Sequence, residues 1–253
     1  MNPEDVESGL RAIRTSLDRI LAGSCLGVID EAIAQVGPAT KLWKSGFRRW
    51  QKHAAPWGYR ISRERPLEFQ ACDIRGHRSV VDLACALRWS SDTTPEPIEQ
   101  NIALRVWSLD KRICFRREFD AEHIENILAG LGKRVMLRLH FDLANSGQQG
   151  PKYHIQIGGV EAPSEYCWLH PSVNLPRIAH PPSDIVLICE MIACNFFPDQ
   201  YRAIRTDPIW QGVVRDIQRS VLQEYFHQCY EAVISKQQHQ SLLDLLWNIP
   251  WQG

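Results

Sequence analysis

Polar and apolar residues alternate strictly along two short segments in the middle of the chain, 137–143 and 152–157. Successive side chains of a strand point to opposite faces, so the pattern predicts two strands that each have one polar and one apolar face. Only a short glycine- and proline-containing stretch separates the segments, which favours a β-hairpin. Its apolar face must be covered by other elements, and this requires a layered fold.

The polar face of this hairpin is the strongest candidate for a chemical site. If residues whose numbers sum to 294 face each other, His140 lies opposite His154 and Asp142 opposite Lys152, with about 5 Å between the paired Cβ atoms. Two imidazoles and a carboxylate are common ligands of divalent metals such as zinc or manganese, and they also suit acid/base catalysis. A water-facing sheet surface would show the same alternation, so both interpretations stay open.

The surrounding sequence predicts an antiparallel meander. Its short connections and turn signals give the order βββαββ. Besides the hairpin, the predicted elements are strands at 81–89, 102–109 and 112–119 and a short helix at 120–131.

Helices are predicted on both sides of this sheet from apolar residues at helical spacing and from end signals, including Ser183 as an N-cap. Their ranges are 3–22, 25–35, 40–52, 185–197 and 208–235. The expected fold is α+β in a single domain. It has a helical part at 1–55, the sheet at 56–160, and a proline-rich loop with C-terminal helices at 161–253.

Two further titratable residues are candidates for a catalytic site at the hairpin. His180 follows Arg177 in the proline-rich segment, and such a loop is pre-ordered enough to cover a site at low entropic cost. Glu190 interrupts an otherwise apolar helix, where a carboxylate needs a partner such as Arg177. An acid/base role and a structural ion pair are alternative interpretations of Glu190.

A basic and aromatic segment, 41–53, is the strongest candidate for a nucleic-acid contact. Basic side chains neutralise phosphates, and aromatic rings stack on bases. On a helix, Trp43, Phe47 and Trp50 would share one face, which is equally typical of a core-facing stripe with the basic residues in water. The candidate nucleic-acid-binding residues are Lys41, Lys44, Arg48, Arg49, Lys52, Arg60 and Arg63.

Whole-chain properties exclude some classes of function. The chain has 29 Lys and Arg against 29 Asp and Glu, so no global field draws it to nucleic acid or to an acidic membrane. The acidic N-terminal sequence does not resemble a secretory signal, and the longest apolar stretch, 185–197, is too short to span a bilayer. We therefore expect a cytoplasmic protein without a membrane partner. The eight cysteines include no Cys-x-x-Cys pair, which favours reduced thiols.

Distinctive strings lie between His140 and Phe197, namely HFD, GPKYHIQIGG and LPRIAHPPSDI followed by an apolar helix. In these strings the chain resembles a group of functionally uncharacterised bacterial proteins that are associated with defence or mobile gene clusters. The resemblance covers under a quarter of the chain. It implies a biological setting rather than a reaction.

Three functional hypotheses follow. The leading one is a non-catalytic accessory protein of a bacterial defence or mobile-element system that binds nucleic acid or a protein partner without a cofactor. It rests on the basic region, the resemblance, and the lack of P-loop, nucleophile-elbow and dinucleotide-binding motifs. The second is a metal-dependent hydrolase or nuclease effector with His140, Asp142 and His154 as ligands and Glu190 or His180 as the acid/base group. The third is a structural subunit that assembles through the long C-terminal helix and the apolar tail 242–251.

Overall fold

The α+β class with helical flanks is confirmed by the computed structural model, which describes residues 1–74, 76–91, 96–109, 134–144, 151–158 and 177–234. In chain order the elements are α1 (Pro3–Ser16), α2 (Leu26–Lys44), α3 (Phe47–His53), β1 (Trp57–Ile61), β2 (Leu67–Glu68), β3 (Cys72–Ile74), β4 (His77–Trp89), β5 (Pro97–Ser108), β6 (Arg134–Leu143), β7 (Tyr153–Ile157), β8 (Ile178–Ala179), α4 (Ile185–Phe196), α5 (Pro198–Thr206) and α6 (Pro208–Ile234).

The strands form an antiparallel sheet in the order β1-β4-β5-β6-β7-β8. β2 and β3 pair with the same edge of β4 as β1 does, so three short strands cover that edge in succession. β4 lies along one edge of β5 and β6 lies along the other. The predicted strand 112–119 and helix 120–131 lie outside the described residues. The predicted hairpin between 102–109 and 112–119 therefore also falls partly outside the described residues, and within them β5 pairs with β4 and β6.

One face of the sheet is apolar and lies against helices. Its buried residues include Leu83 and Leu87 of β4, Ile102 and Leu104 of β5, and Phe141 of β6. They belong to one hydrophobic cluster with buried residues of the helices, among them Leu10, Ile13, Ile29, Ile188, Ile192 and Ile217. Burying each such side chain contributes about 1.5–3 kcal/mol, so this layer is the main source of stability in the described part.

Helix α1 begins as predicted and ends earlier. The Asn2 side chain accepts a hydrogen bond from the Asp5 backbone N–H at 2.9 Å, which caps the first turn. The helix ends at Ser16 instead of residue 22, because the next backbone groups pair elsewhere. The Ile20 carbonyl accepts from Gln70, and the Ala22 N–H donates to Glu68. The residues at 20 and 21 are nevertheless buried, so their apolar spacing reflects the core and not a continued helix.

Helix α2 runs through Pro38, although the sequence predicted that a helix would end at 35. Its buried face, which includes Ala32, Val36 and Thr40, continues past the proline. The Thr40 hydroxyl donates to the Pro3 carbonyl at 3.2 Å and ties α2 to α1. The predicted continuous helix 40–52 is instead broken at Gly46, whose φ of 110° suits glycine and separates α2 from α3.

The C-terminal helices agree closely with the predicted ranges 185–197 and 208–235. The N-cap of α4 is Asp184 and not Ser183, since an Asp184 carboxylate oxygen accepts from the Val186 N–H at 2.8 Å. Burial raises the pKa of Asp184 to about 6 despite this hydrogen bond. Among the helices of the described ranges, none is both long enough and apolar enough to cross a bilayer.

Candidate functional site

Much of the polar face of the sheet is buried. Arg138, His140 and His154 are exposed by only 2%, 6% and 2%. Polar groups that leave water need hydrogen-bonding partners, because an unpaired buried group costs free energy. The face is therefore an organised polar layer, and the interpretation of this alternation as a solvated surface is wrong.

A buried ion pair, which the sequence analysis missed, anchors one end of this layer. Arg105 donates through Nε to an Asp82 carboxylate oxygen at 2.7 Å, and Trp107 donates through Nε1 to the other oxygen at 2.5 Å. Burial raises the pKa of Asp82, and the hydrogen bond from Arg105 opposes this shift. The alternation of β4 and β5 carried the signal, because it places Asp82 and Arg105 on one face. Only the observed register shows that they are direct neighbours.

His140 is engaged by an arginine of its own strand. Arg138 donates through Nε to His140 Nε2 at 2.7 Å, so that nitrogen acts as an acceptor and the imidazole is neutral. Burial, followed by the nearby charges of Arg138, Arg63 and Arg105, lowers the pKa of His140 to about 3. A ring held in this way positions a guanidinium and is a poor general base near neutral pH.

Asp142 lies directly opposite His154, because the register of β6 and β7 differs by two residues from the predicted one. The paired residue numbers sum to 296, and His140 faces Gln156. The predicted opposition of His140 to His154 and of Asp142 to Lys152 is therefore wrong. A shift of two preserves the faces, so the three predicted site residues do share one side of the sheet.

Asp142 and His154 face each other, and their surroundings raise the pKa of Asp142 and lower the pKa of His154. Asp142 accepts a hydrogen bond from Asn101 Nδ2 at 2.8 Å, and burial raises its pKa to about 6 although Arg63, Arg177 and Arg138 oppose the shift. His154 Nδ1 lies 3.0 Å from the Pro151 carbonyl, which can only accept, so this nitrogen carries the proton. Nε2 of His154 is buried and has no hydrogen-bond partner among the described residues, and burial lowers the pKa of the imidazole.

The predicted metal ligands do not form a ligand group in this arrangement. Within the described residues, no group of three or more His, Cys, Asp and Glu side chains is arranged to hold a metal ion. His140 Nε2 and one oxygen of Asp142 already accept hydrogen bonds from Arg138 and Asn101. The His/Asp/His set is brought to one face of the sheet, but His140 Nε2 and one Asp142 oxygen are already engaged by protein donors, and the three side chains do not converge on one point as a ligand group.

The two predicted acid/base residues lie on the apolar side of the sheet. His180 packs edge-on against Phe141 and places Nδ1 2.6 Å from the Pro181 carbonyl. Glu190 accepts from the Tyr201 hydroxyl at 2.6 Å and from Trp210 Nε1 at 2.5 Å. Its predicted pairing with Arg177 is wrong. The hydrolase remains a hypothesis, and this arrangement does not favour it, since its acid/base groups and its ligands are on opposite faces.

The basic segment forms an exposed surface at the end of α2 and on α3. Trp50 is buried and meets Trp43 edge-on, whereas Phe47 is 56% exposed, so the aromatic stripe is only partly core-facing. Lys44 makes an exposed ion pair with Glu4 at 3.2 Å. The four other Lys and Arg side chains of this segment are exposed and make no ion pair with a described residue; these are Lys41, Arg48, Arg49 and Lys52. We call Phe47, Arg48, Arg49 and Lys52 the α3 basic surface.

The last two predicted nucleic-acid-binding residues lie further along the same side. Arg60, on β1, is exposed and only 4.0 Å from Glu99, which is a loose ion pair. Arg63 follows β1 and is half-buried, close enough to Asp142 and His140 to affect both pKa values. Of the seven predicted residues, these two are therefore nearest to the polar face of the sheet.

Three adjoining clefts run from α3 across the edge strand β1 to the polar face. The first has a volume of about 360 Å³ and is lined by residues that include Trp50 and His53. It shares Trp57 and Gly58 with a second cleft of about 270 Å³. The second shares Arg60, Ala86 and Glu99 with a third cleft of about 470 Å³, which reaches Asp142. We call these three neighbouring clefts together the β1 groove.

Gln35 of α2 lines the first two clefts and fixes the edge strand beside them. Its side-chain amide donates to the Arg60 carbonyl at 3.1 Å and accepts from the Arg60 N–H at 2.8 Å. This amide therefore takes the place of a neighbouring strand at that residue. Nothing in the sequence pattern marked Gln35, because its role depends on where α2 lies against β1.

The last turns of α6 expose an apolar stripe. Phe226, Tyr230, Val233 and Ile234 are each more than half exposed and follow one another at helical spacing. The third hypothesis assigned assembly to this helix and to the tail 242–251. The tail lies outside the described residues. Of the two segments in that hypothesis, the structure therefore describes only the helix and its exposed stripe.

No family model matches this chain, and comparison with curated proteins and with solved structures finds no match either.

Proposed function

We propose that this chain is a non-catalytic nucleic-acid-binding protein, acting as an accessory component of a bacterial defence or mobile-element system. The α3 basic surface is the observation that supports this proposal most directly. Its three cations are exposed and make no ion pair with any described residue. Forming contacts with phosphates therefore does not require breaking an internal salt bridge.

The charge distribution favours binding through a local cluster of cations and not through the net charge of the chain. The chain is neutral overall, so its attraction for a polyanion must come from a cluster of one sign. The α3 basic surface concentrates three cations on a seven-residue helix, next to an exposed Phe47 ring that can stack on a base. Each neutralised phosphate releases counterions, which makes such binding depend on salt.

The chemistry of the polar face supports the non-catalytic part of the proposal. His140 is held as a neutral acceptor by Arg138, and Asp142 is held by Asn101. These groups organise the sheet beside the β1 groove. The proposed setting in defence or mobile elements rests only on the resemblance of residues 140–197.

Salt-dependent binding to labelled 20-nucleotide DNA and RNA, followed by fluorescence anisotropy, tests the proposal. The triple variant Arg48→Gln/Arg49→Gln/Lys52→Gln removes the cations of the α3 basic surface. We expect weaker binding and a slope of log K against log salt that is smaller in magnitude by about 2, from about 0.7 for each lost phosphate contact.

A matched control removes the same charge elsewhere. Arg202, Arg215 and Arg219 are exposed on α5 and α6, and their triple replacement by Gln should leave both affinity and slope near the wild-type values. Equal losses in the two triple variants would indicate a diffuse charge effect. Wild-type binding by the α3 variant would show that this surface is not the interface.

A second candidate function is assembly of this chain with itself through α6. The exposed stripe at 226–234 favours it, because contiguous exposed apolar residues on a helix commonly mark an interface. Light scattering of wild type and of Tyr230→Lys/Val233→Lys would separate the candidates. A wild-type dimer that becomes monomeric in the variant supports assembly, and a wild-type monomer removes it.

A further inference from the structure

A small cavity lies on the apolar side of the sheet, between the sheet and α6. Its volume is about 30 Å³. Strands β4, β5 and β7 form one wall, and the residues that lead into α4, together with one side of α6, form the other. The lining includes Trp89, Gln100, Tyr153, Asp184, Glu224 and Tyr225. We call this feature the α6 cavity.

Three side chains of the sheet bring unpaired polar atoms to the α6 cavity. Trp89 Nε1, Gln100 Oε1 and Tyr153 Oη are buried and have no hydrogen-bond partner among the described residues. The three residues are exposed by only 2%, 4% and 5%. Buried polar atoms in folded proteins nearly always have a partner, because an unpaired one costs free energy. Three of them around one small space therefore indicate a binding site.

The chemistry of these atoms defines the group that they can bind. The Trp89 indole N–H only donates, and the Gln100 amide oxygen only accepts. The Tyr153 hydroxyl can do either, and it stays neutral because burial, followed by the nearby charge of Glu96, raises its pKa. A bound group must therefore accept from Trp89 and donate to Gln100. Primary amides and hydroxyl groups do both.

Charged groups do not meet these requirements. An ammonium group offers no acceptor to the Trp89 N–H. A carboxylate cannot donate to the Gln100 oxygen, and it would be repelled by two carboxylates of the lining, Asp184 and Glu224. The α6 cavity is thus suited to an uncharged group.

The size of the α6 cavity and its position limit what can enter. One water molecule needs about 10–15 Å³ of such a cavity, so the space holds about two or three non-hydrogen atoms. The lining continues from the buried Trp89 and Gln100 to Glu224, which is exposed. A ligand can thus insert one end and leave the rest of its atoms at the surface beside α6.

We propose that the α6 cavity binds the uncharged polar end of a small molecule, a primary amide or a hydroxyl group. This group accepts a hydrogen bond from Trp89 Nε1 and donates one to Gln100 Oε1, and Tyr153 Oη forms the third contact. Tyr225 meets Tyr153 edge-on with ring centroids 6.4 Å apart, so aromatic rings supply the apolar walls that are typical of ligand sites. The site is separate from the α3 basic surface and does not depend on nucleic-acid binding.

The indole N–H signal of Trp89 in nitrogen–proton correlation spectra tests the proposal. Trp89→Phe identifies this signal as the one that disappears. The probes are acetamide and ethanol, and sodium acetate and methylammonium chloride are charged controls of similar size at matched ionic strength. We expect at least one uncharged probe to shift the Trp89 signal saturably, with a dissociation constant of about 1–100 mM, as suits so few atoms. The charged controls should leave the signal in place.

A matched pair of variants assigns the effect to the cavity. Gln100→Leu removes the unpaired acceptor, and Gln218→Leu makes the same change on the exposed surface of α6. We expect at least 10-fold weaker probe binding in the first variant and wild-type binding in the second. An unchanged response in a folded Gln100→Leu variant overturns the inference.

The wild-type titration decides the matter without any variant. A Trp89 signal that neither uncharged probe shifts would reduce the cavity to a site for water and overturn the inference. A saturable shift with acetate or methylammonium would overturn it too, because the site would then select a charge. Salt-dependent binding by the α3 basic surface is measured separately, so the proposed function and this inference can fail independently.

Discussion

Tyr59 and Tyr201 differ in the surroundings of their hydroxyl groups. The Tyr59 hydroxyl is buried with no hydrogen-bond partner in the described part of the chain, and the Tyr201 hydroxyl donates to Glu190 at 2.6 Å. A buried unpaired hydroxyl costs free energy, whereas a hydrogen bond to a carboxylate stabilises. We expect Tyr59→Phe to leave the free energy of unfolding unchanged or raise it by up to about 1 kcal/mol, and Tyr201→Phe to lower it by about 1–2 kcal/mol.

Urea denaturation of both variants measures these changes, and each variant serves as the control for the other because the same atom is removed. Two equal losses would mean that the Tyr59 hydroxyl has a partner after all.

The neutral state of His140 predicts a dependence of stability on pH. Its pKa of about 3 in the folded protein lies below the ordinary value of 6.5, so the unfolded chain binds the proton more tightly. The contribution of His140 is complete above pH 6.5 and is lost as the pH falls toward 3. The loss relative to a non-titrating residue amounts to about 1.4 kcal/mol for each pH unit below 6.5.

His140→Gln is the matched variant, since its amide oxygen can still accept from Arg138 but does not titrate. Between pH 6.5 and 4.5, the difference in unfolding free energy between wild type and variant should change by about 1.4 kcal/mol for each pH unit. A difference that is constant over this range would show that His140 titrates normally in the folded protein.

The polar face shows how far sequence reasoning reaches at the residue scale. Alternation placed His140, Asp142 and His154 on one face correctly. It could not fix their register, because a slip of two residues leaves every side chain on its own face. It also could not show that this face is buried, since Arg138 and Asp82 are polar in either situation. The partner of each polar residue is a property of the folded chain.

At the scale of single elements, the edge strand β1 depends on one helix side chain. Gln35 is exposed, yet it makes two hydrogen bonds to the Arg60 backbone. Gln35→Ala removes both bonds and leaves strand edge groups free to pair with another chain. We expect the free energy of unfolding to fall by about 1 kcal/mol and self-association to increase.

Urea denaturation and light scattering measure the two effects. Gln218→Ala is the control, because Gln218 is an exposed residue of α6 whose side chain makes no hydrogen bond to any described residue. An equal loss in both variants would attribute the effect to general changes in the helix and not to the edge strand.

The helix ends illustrate why local signals predicted elements better than their boundaries. Gly37-Pro38 is a standard stop signal, yet α2 continues because its buried face extends to Thr40. Apolar spacing predicted α1 up to residue 22, but the backbone at 20–22 pairs with 68–70 in the structure. In both cases tertiary contacts outweigh the local preference. The predicted ranges of α4 and α6 agree with the structure, because Asp184 and Pro208 mark where these helices begin and no tertiary contact overrides those signals.

At the scale of the whole molecule, the sheet separates two kinds of interior. Its apolar face is covered by helices that supply the hydrophobic core, and its polar face holds arginines, carboxylates and imidazoles in fixed contacts. The sequence predicted the first side well, because burying apolar area is non-directional. It predicted the second side poorly, because hydrogen bonds require particular neighbours. The β1 groove lies where these two sides meet at the edge of the sheet.

Helix packing over the apolar face gives a prediction about two glycines. A Cβ on Gly9 of α1 would lie 2.9 Å from Val186 Cγ2 of α4, and Val186 is buried with a stiff, branched side chain. Gly212 of α6 has no atom within 4 Å of the corresponding position. Alanine favours a helix over glycine by about 1 kcal/mol at either site. Forcing α1 away from α4 costs about 1–3 kcal/mol, which outweighs that gain at Gly9 alone.

Thermal and urea denaturation of Gly9→Ala and Gly212→Ala should therefore show changes of opposite sign. Gly212→Ala should unfold at higher denaturant concentration than wild type, and Gly9→Ala at lower concentration. Because the substitution and the helical context are the same, the difference between the two variants isolates the contact between α1 and α4. Stabilisation of both would mean that α1 can move away from α4 at little cost, and the close approach of the two helices would then not be a constraint on the core.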